Sequence, residues 1–196
     1  MIFFLQATMY AQDQRHVPAV YLSSPHRVLA LKANDACAID FANTRMFGEN
    51  KGWAAPLKNG KYEHKYDAGY DSVTLDHVYC VHRDASKVSY ALAVTNWLSC
   101  GGSCMSTGVV QVIAVRDGRP FVTQQLTFDS HAPGTGATYD ERSHTLTITG
   151  RSDDDSPNCC AKNFDVVTMQ WQGSKFAQNT YRRIPAPPPQ PPSPAP

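Results

Sequence analysis

The stretch CGGSCMSTGVVQV sets Cys100 and Cys104 four positions apart around a Gly-Gly-Ser spacer, directly ahead of an apolar run. Thiols this close can hold a metal, cycle as a redox pair or close a local loop. A redox pair of the thioredoxin kind has two intervening residues and sits at a helix N-terminus that lowers the thiol pKa. Here three residues intervene and a strand-like segment follows. A structural zinc wants four convergent ligands, and no second close pair has suitable spacing. The glycines let the chain reverse, so a disulfide between Cys100 and Cys104 is the expected chemistry.

The other cysteines are Cys37, Cys80 and the adjacent Cys159 and Cys160. Neighbouring cysteines rarely bond to each other, because the linking peptide is strained. Each of Cys159 and Cys160 is therefore expected to seek a distant partner, with Cys37 and Cys80 the candidates. Capture of copper or zinc by the adjacent pair is the alternative. An even number of cysteines suits an oxidising compartment.

Other groups that could do chemistry are less ordered. Asp153, Asp154 and Asp155 could meet a hard cation, but the glycine and terminal glutamate of an EF-hand loop are missing, so they read as a solvated acidic loop. His77 and His82 would point to opposite faces of a simple strand, and His64, His131 and His144 lie in polar stretches. Asp129, Asp140 and Glu141 have no spacing that implies a glycosidase pair. No nucleophile motif, HExxH, phosphate-binding loop or dinucleotide fingerprint occurs. No residue is thereby expected to be catalytic, cofactor-binding or metal-ligating.

The elements that must position these groups are mostly strands. In SVTLDHVYCVH, Val73, Leu75, Tyr79 and Val81 alternate onto one face. In KVSYALAVTNWL, Val88, Tyr90, Leu92, Val94 and Leu98 share a face, with Ser89, Ala91, Ala93 and Thr95 opposite. GVVQVIAV is apolar on both sides, as a covered central strand should be. Asp117-Gly118 supplies a two-residue turn with positive φ at both central positions, and FVTQQLTF returns from it. HTLTITG alternates, and VVTMQWQGSKF reads as a hairpin around Gly173-Ser174 with Val167, Met169 and Trp171 inward. The segments DSHAPGTGATYDERS and RSDDDSPNCCAKN read as loops, and Asn59-Gly60 as a further turn. SSPHRVLALKAN could form a short helix, with Ser24 as cap and Pro25 in the first turn. The expected fold is mainly β, α+β at most: a single domain on a twisted antiparallel sheet or meander of five to seven strands, with one or two short helices.

The expected domain occupies residues 13–184 of the 196. Residues 1–12 contain the apolar run Ile2 to Leu5 and an Ala-Gln step, as at the end of a secretory signal. The basic leader of such a signal is absent, and a frayed strand is the other reading. Residues 185–196 carry eight prolines in twelve positions and read as a solvated polyproline tail, inert, a spacer or a docking ligand. No run approaches the length of a membrane span. The net charge of +1 gives no footprint for nucleic acid.

The stretches DFANTRM, LKNGKY, VTNWLSCGGSCMSTGVVQVIAVRDGRPF and NCCAKNFDVVTMQWQGSKF, roughly residues 38 to 176, resemble the exported domain of bacterial LppP/LprE-type lipoproteins. The matching positions are Asp40 to Asn43, Leu57 to Gly60, Gly101 to Val115, Gly118 to Pro120, Cys159-Cys160 and Trp171 to Gly173. The family's Gly-Asp-Leu-x-Gly-Asp-Gly segment is replaced here by VYCVHRDASKVSY, so no calcium-like role carries over. A lipid-bearing cysteine is also missing. The resemblance implies a secreted, periplasmic or cell-surface domain without established catalytic residues. The functional expectation is a non-catalytic binder of an envelope protein, glycan or other envelope component. A secreted hydrolase with a loop-assembled site is the alternative, and a cysteine-based metal or redox protein a further one.

Overall fold

Along Ser89–Gly101 the side chains alternate between two apolar surroundings, so the strand must lie between two cores. The computed structural model describes residues 20–23, 27–48, 53–83, 88–152 and 161–186. Its strands are β1 (Val20–Ser23), β2 (Arg27–Val28), β3 (Arg45–Phe47), β4 (Ala54–Pro56), β5 (Lys61–Tyr66), β6 (Gly69–Arg83) and β7 (Ser89–Gly101). They continue as β8 (Ser103–Arg116), β9 (Arg119–Asp129), β10 (Gly136–Asp140), β11 (Thr145–Arg151), β12 (Asn163–Trp171) and β13 (Phe176–Pro185). Among the described residues the helical segments are two 3-10 turns, Ala36–Ala38 and Phe41–Asn43.

The main sheet has seven antiparallel strands in the order β1-β9-β8-β7-β6-β5, with β2 also pairing β9. The expected mainly β fold is thus present. The hairpin around Gly173-Ser174 belongs to a separate four-stranded sheet, β10-β11-β12-β13, and β3 and β4 form a small third one. One face of the main sheet packs Ala91, Ala93, Val109 and Ile113 against Ala36, Phe41, Met46 and Ala55 from the 3-10 turns and the β3–β4 hairpin. The small residues of β7 allow those turns to come close: Ser89 Oγ accepts the Ala36 N–H at 2.6 Å. The other face packs Leu92, Val94, Val110, Val112 and Leu126 against Leu146, Ile148, Val167, Met169 and Phe176 of the second sheet.

Three local readings need correction. Val73, Leu75, Tyr79 and Val81 do not share a face, because a bulge between Leu75 and His77 flips the alternation. Val73 and Leu75 join the first core, Tyr79 and Val81 the second. A second irregularity falls between Cys80 and His82, and the His82 side chain lies outside those described. The proposed helix around Arg27 to Asn34 is extended instead. Arg27 and Val28 pair with β9, and the N–H groups of Leu29 and Ala33 bond to the carbonyls of Pro120 and Gly118. An open sheet edge satisfies that backbone, so helical capping signals lose. Third, Gly136–Asp140, read as loop, is a strand that buries Ala137 and Tyr139.

The last strand also continues past Ile184: Pro185 pairs with Asn163, and the Ala186 N–H bonds to the Lys162 carbonyl. Proline is tolerated there because β13 is an edge strand. Residues 187–196 of the expected tail and residues 1–12 lie outside the described residues. The strand is anchored by Asp165 of β12, wholly buried, which accepts from Tyr181 Oη at 2.9 Å and Arg183 Nε at 2.9 Å. Burial first, then the bond to Asp165, push the Tyr181 phenol above its ordinary range.

The Asp117-Gly118 hairpin matches its expectation: Arg116 pairs with Arg119 and Val109 with Thr127, and the turn residues have φ of 52° and 71°. Gly118→Val forces a β-branched residue into the left-handed region and is expected to cost more than about 1 kcal/mol. An unchanged melting temperature for that variant would contradict the turn assignment.

Candidate functional site

The β8–β9 turn and the β12–β13 turn come together at one end of the sandwich. A single side chain locks them. Gln124 of β9 donates Nε2–H to the Phe176 carbonyl at 2.7 Å, and its Oε1 accepts the Phe176 N–H at 2.8 Å. The buried carboxamide therefore mimics a strand edge and ties the start of β13 to the main sheet. Behind it, edge-to-face contacts link Tyr90 to Trp171 (5.1 Å), Trp171 to Phe176 (5.0 Å) and Phe176 to Tyr139 (5.8 Å). Tyr139 is fixed in turn, its hydroxyl donating to the Val81 carbonyl at 3.3 Å and lying 3.0 Å from His144 Nδ1.

Between the two turns runs an open groove of about 560 Å³. Tyr90, Phe121 and Ala114 form its apolar surface, and Arg116, Lys175 and Gln178 stand at its rim. The Arg116 guanidinium lies over the Phe121 ring, 5.7 Å from its centroid, which holds the charge at the groove. Arg116 also faces Arg119 directly across the hairpin, an arrangement that like charges disfavour. Among the described residues neither Arg116 nor Lys175 enters an ion pair, and the groove lining contains no Asp, Glu, His or Cys. This leaves a positive, partly aromatic surface suited to an anion with flat apolar faces.

The residues singled out from the sequence are not brought to this groove. Cys100 and Cys104 are bonded to each other as expected, directly opposite across the β7–β8 hairpin with Cα atoms 4.1 Å apart. That tip is about 40 Å along β8 from Arg116 at the rise of an extended strand. Cys37 and Cys80 are bonded to each other, Cα atoms 5.1 Å apart, which overturns their expected pairing with Cys159 and Cys160. The reason is tertiary. Asp35 caps the first 3-10 turn by accepting the Cys37 N–H at 2.9 Å, and the β6 bulge turns Cys80 toward that turn. Cys159, Cys160 and Asp153 to Asp155 lie outside the described residues.

The carboxylates named above serve local structure. Asp129 accepts the His131 N–H at 2.8 Å and lies 3.6 Å from Arg151. Asp140 accepts from the Ser143 hydroxyl and the Arg142 N–H, which hold its carboxyl below the usual range. Glu141, His64 and His77 are exposed, His64 beside Tyr66 and His77 beside Tyr79. Among the described residues no group of three or more His, Cys, Asp or Glu side chains is arranged to hold a metal ion. Arg116, Lys175 and Phe121 escaped the sequence reading because each simply flanks or follows a turn. Their one visible signal is that both turns carry cations at their shoulders.

Two disulfides point to an oxidising, extracytoplasmic environment. Among the described residues no helix is long and apolar enough to cross a membrane. No protein-family model, curated protein or solved structure matches the chain.

Proposed function

We propose that this chain is an exported, non-catalytic β-domain whose end groove binds an acidic glycan of the cell envelope. The observation that carries the reading is the groove lining: Arg116 and Lys175 beside the half-buried Tyr90 and Phe121, with no carboxylate among the described residues there. Sugar rings offer flat C–H faces to aromatic rings and hydroxyls to amides such as Gln178, and uronate carboxylates pair with guanidinium and ammonium groups. An open groove also suits a chain passing through rather than a small molecule enclosed. The same lining favours binding over the hydrolase reading, which needs a general acid and base in the cleft. Export is supported by the two disulfides, which suit an oxidising compartment.

The test compares an oligosaccharide of galacturonic acid with a neutral oligosaccharide of equal length. The acidic one is expected to bind more tightly, with affinity falling as salt is added. Arg116→Ala and Lys175→Ala should each weaken it about tenfold, the scale of one lost charge-assisted contact in a solvated groove. Equal binding of the two sugars, or indifference to both substitutions, would refute the assignment.

A further inference from the structure

We infer that a second cavity, between β2 and the β3–β4 hairpin, is a binding site for a small carboxylic acid with an apolar body. It measures about 300 Å³, is lined by Arg27, Val28, Ala30, Arg45, Phe47 and Ala54, and shares no residue with the groove. The inference stands independently of the glycan reading.

The sequence brings two arginines to this spot by different routes. Arg27 is placed by the pairing of β2 with Val122 of β9, Arg45 by the pairing of β3 with Pro56 of β4. Arg27 is held in position twice: its Nη1–H donates to the Gly48 carbonyl at 3.3 Å, and its guanidinium lies over the Phe47 ring, 5.4 Å from the centroid. Among the described residues its remaining N–H groups meet no acceptor, and the Arg45 side chain enters neither a hydrogen bond nor an ion pair. Beneath Phe47, the amides of Gln111 and Gln125 donate to the carbonyls of Phe47 and Gly48, which keeps that wall from shifting.

The cavity's charge and walls select the occupant. Two guanidiniums with no counter-charge among the described residues call for an oxyanion, and the planar fork of arginine matches a carboxylate. The other walls are methyl groups and a ring, and Val28 stands 60 % exposed at the cavity. Such walls repay an apolar body and give nothing to a bare inorganic ion. The volume of about 300 Å³ lies at the lower end of small-molecule sites and suits a compact acid.

The probe is benzoate, titrated by calorimetry into the full chain, with benzyl alcohol and inorganic phosphate as comparisons. The expected result is one equivalent of benzoate bound, with benzyl alcohol and phosphate each weaker. Arg45→Gln, at an exposed position, is expected to weaken benzoate by about tenfold or more without changing the melting temperature. Ala54→Phe, which fills the cavity, should abolish binding, and Arg116→Ala in the groove should leave it intact. Absence of saturable binding at millimolar benzoate would overturn the site, as would indifference to Arg45→Gln. Loss on Arg116→Ala alone would place the acid in the groove instead. Phosphate binding as well as benzoate would show that the cavity reads a bare oxyanion, against the apolar-acid assignment.

Discussion

Replacing Cys37 and Cys80 together with alanine is expected to lower the unfolding free energy by about 4 kcal/mol, roughly twice the loss from the same change at Cys100 and Cys104. The difference comes from the unfolded chain. The Cys37–Cys80 bridge closes a loop with a sequence separation of 43, the Cys100–Cys104 bridge one of 4. Loop-closure entropy grows with the logarithm of loop length, so the long bridge removes about 4 kcal/mol of unfolded-state freedom and the short one about 2. The native geometry adds to the contrast. Cys37 belongs to a 3-10 turn whose Ala36 is fully buried against β7, so the long bridge clamps one face of the core. Cys104 sits exposed at a hairpin tip already closed by strand pairing. Urea melts of the two double variants, analysed for both midpoint and slope, check this. Equal losses, or a loss below about 1 kcal/mol at Cys37 and Cys80, would contradict it.

Phe176→Ala is expected to cost about 3 to 5 kcal/mol. Phe176 is 1 % exposed and touches the Tyr139 and Trp171 rings edge-on. The cavity left behind cannot close by collapse. Tyr139 is tethered to the Val81 carbonyl, and the Phe176 backbone is held by Gln124. Phe176→Leu keeps most of the volume and should cost less than about 1.5 kcal/mol. The alanine variant should also weaken the acidic glycan, since Phe176 and its neighbours Lys175 and Ala177 form one wall of the groove. Thermal and urea unfolding measure the first effect, and glycan titration of the still-folded variant the second. A loss below about 2 kcal/mol would mean that the second sheet repacks more freely than its rings suggest.

The clamp at Gln124 explains why stability and the groove are coupled. β9 contributes to both cores, and its bulge at Thr123 shifts the register so that Val122 enters the first core and Gln124 faces the second sheet. The same irregularity places Thr123 on the groove. Sheet bulges often re-aim side chains near binding surfaces in this way.

What the sequence determined by itself is local. Asn59-Gly60 and Asp117-Gly118 form turns with positive φ at both residues, because few other dipeptides reach that backbone region cheaply. The Cys100–Cys104 bond follows from a spacer short enough to make the two thiols neighbours. The strands from Ser89 to Asp129 follow from the alternation of KVSYALAVTNWL, the two-sided apolar run GVVQVIAV and the Asp117-Gly118 turn that sends the chain back as FVTQQLTF. Everything that required a distant partner was decided by the tertiary structure. The bulge at Leu75/His77 divides one apolar stripe between two cores, and nothing in SVTLDHVYCVH marks where the extra residue falls. Arg27 and Val28 extend because the edge of β9 offers carbonyls that a helix would leave unused. Cys37 met Cys80 because β6 and the first 3-10 turn pack together, a proximity that a sequence separation of 43 does not encode locally. The groove and the two-arginine cavity belong to the same class. Their cations are scattered singly along the chain, and only the stacking of separate hairpins gathers charges that electrostatics alone would keep apart.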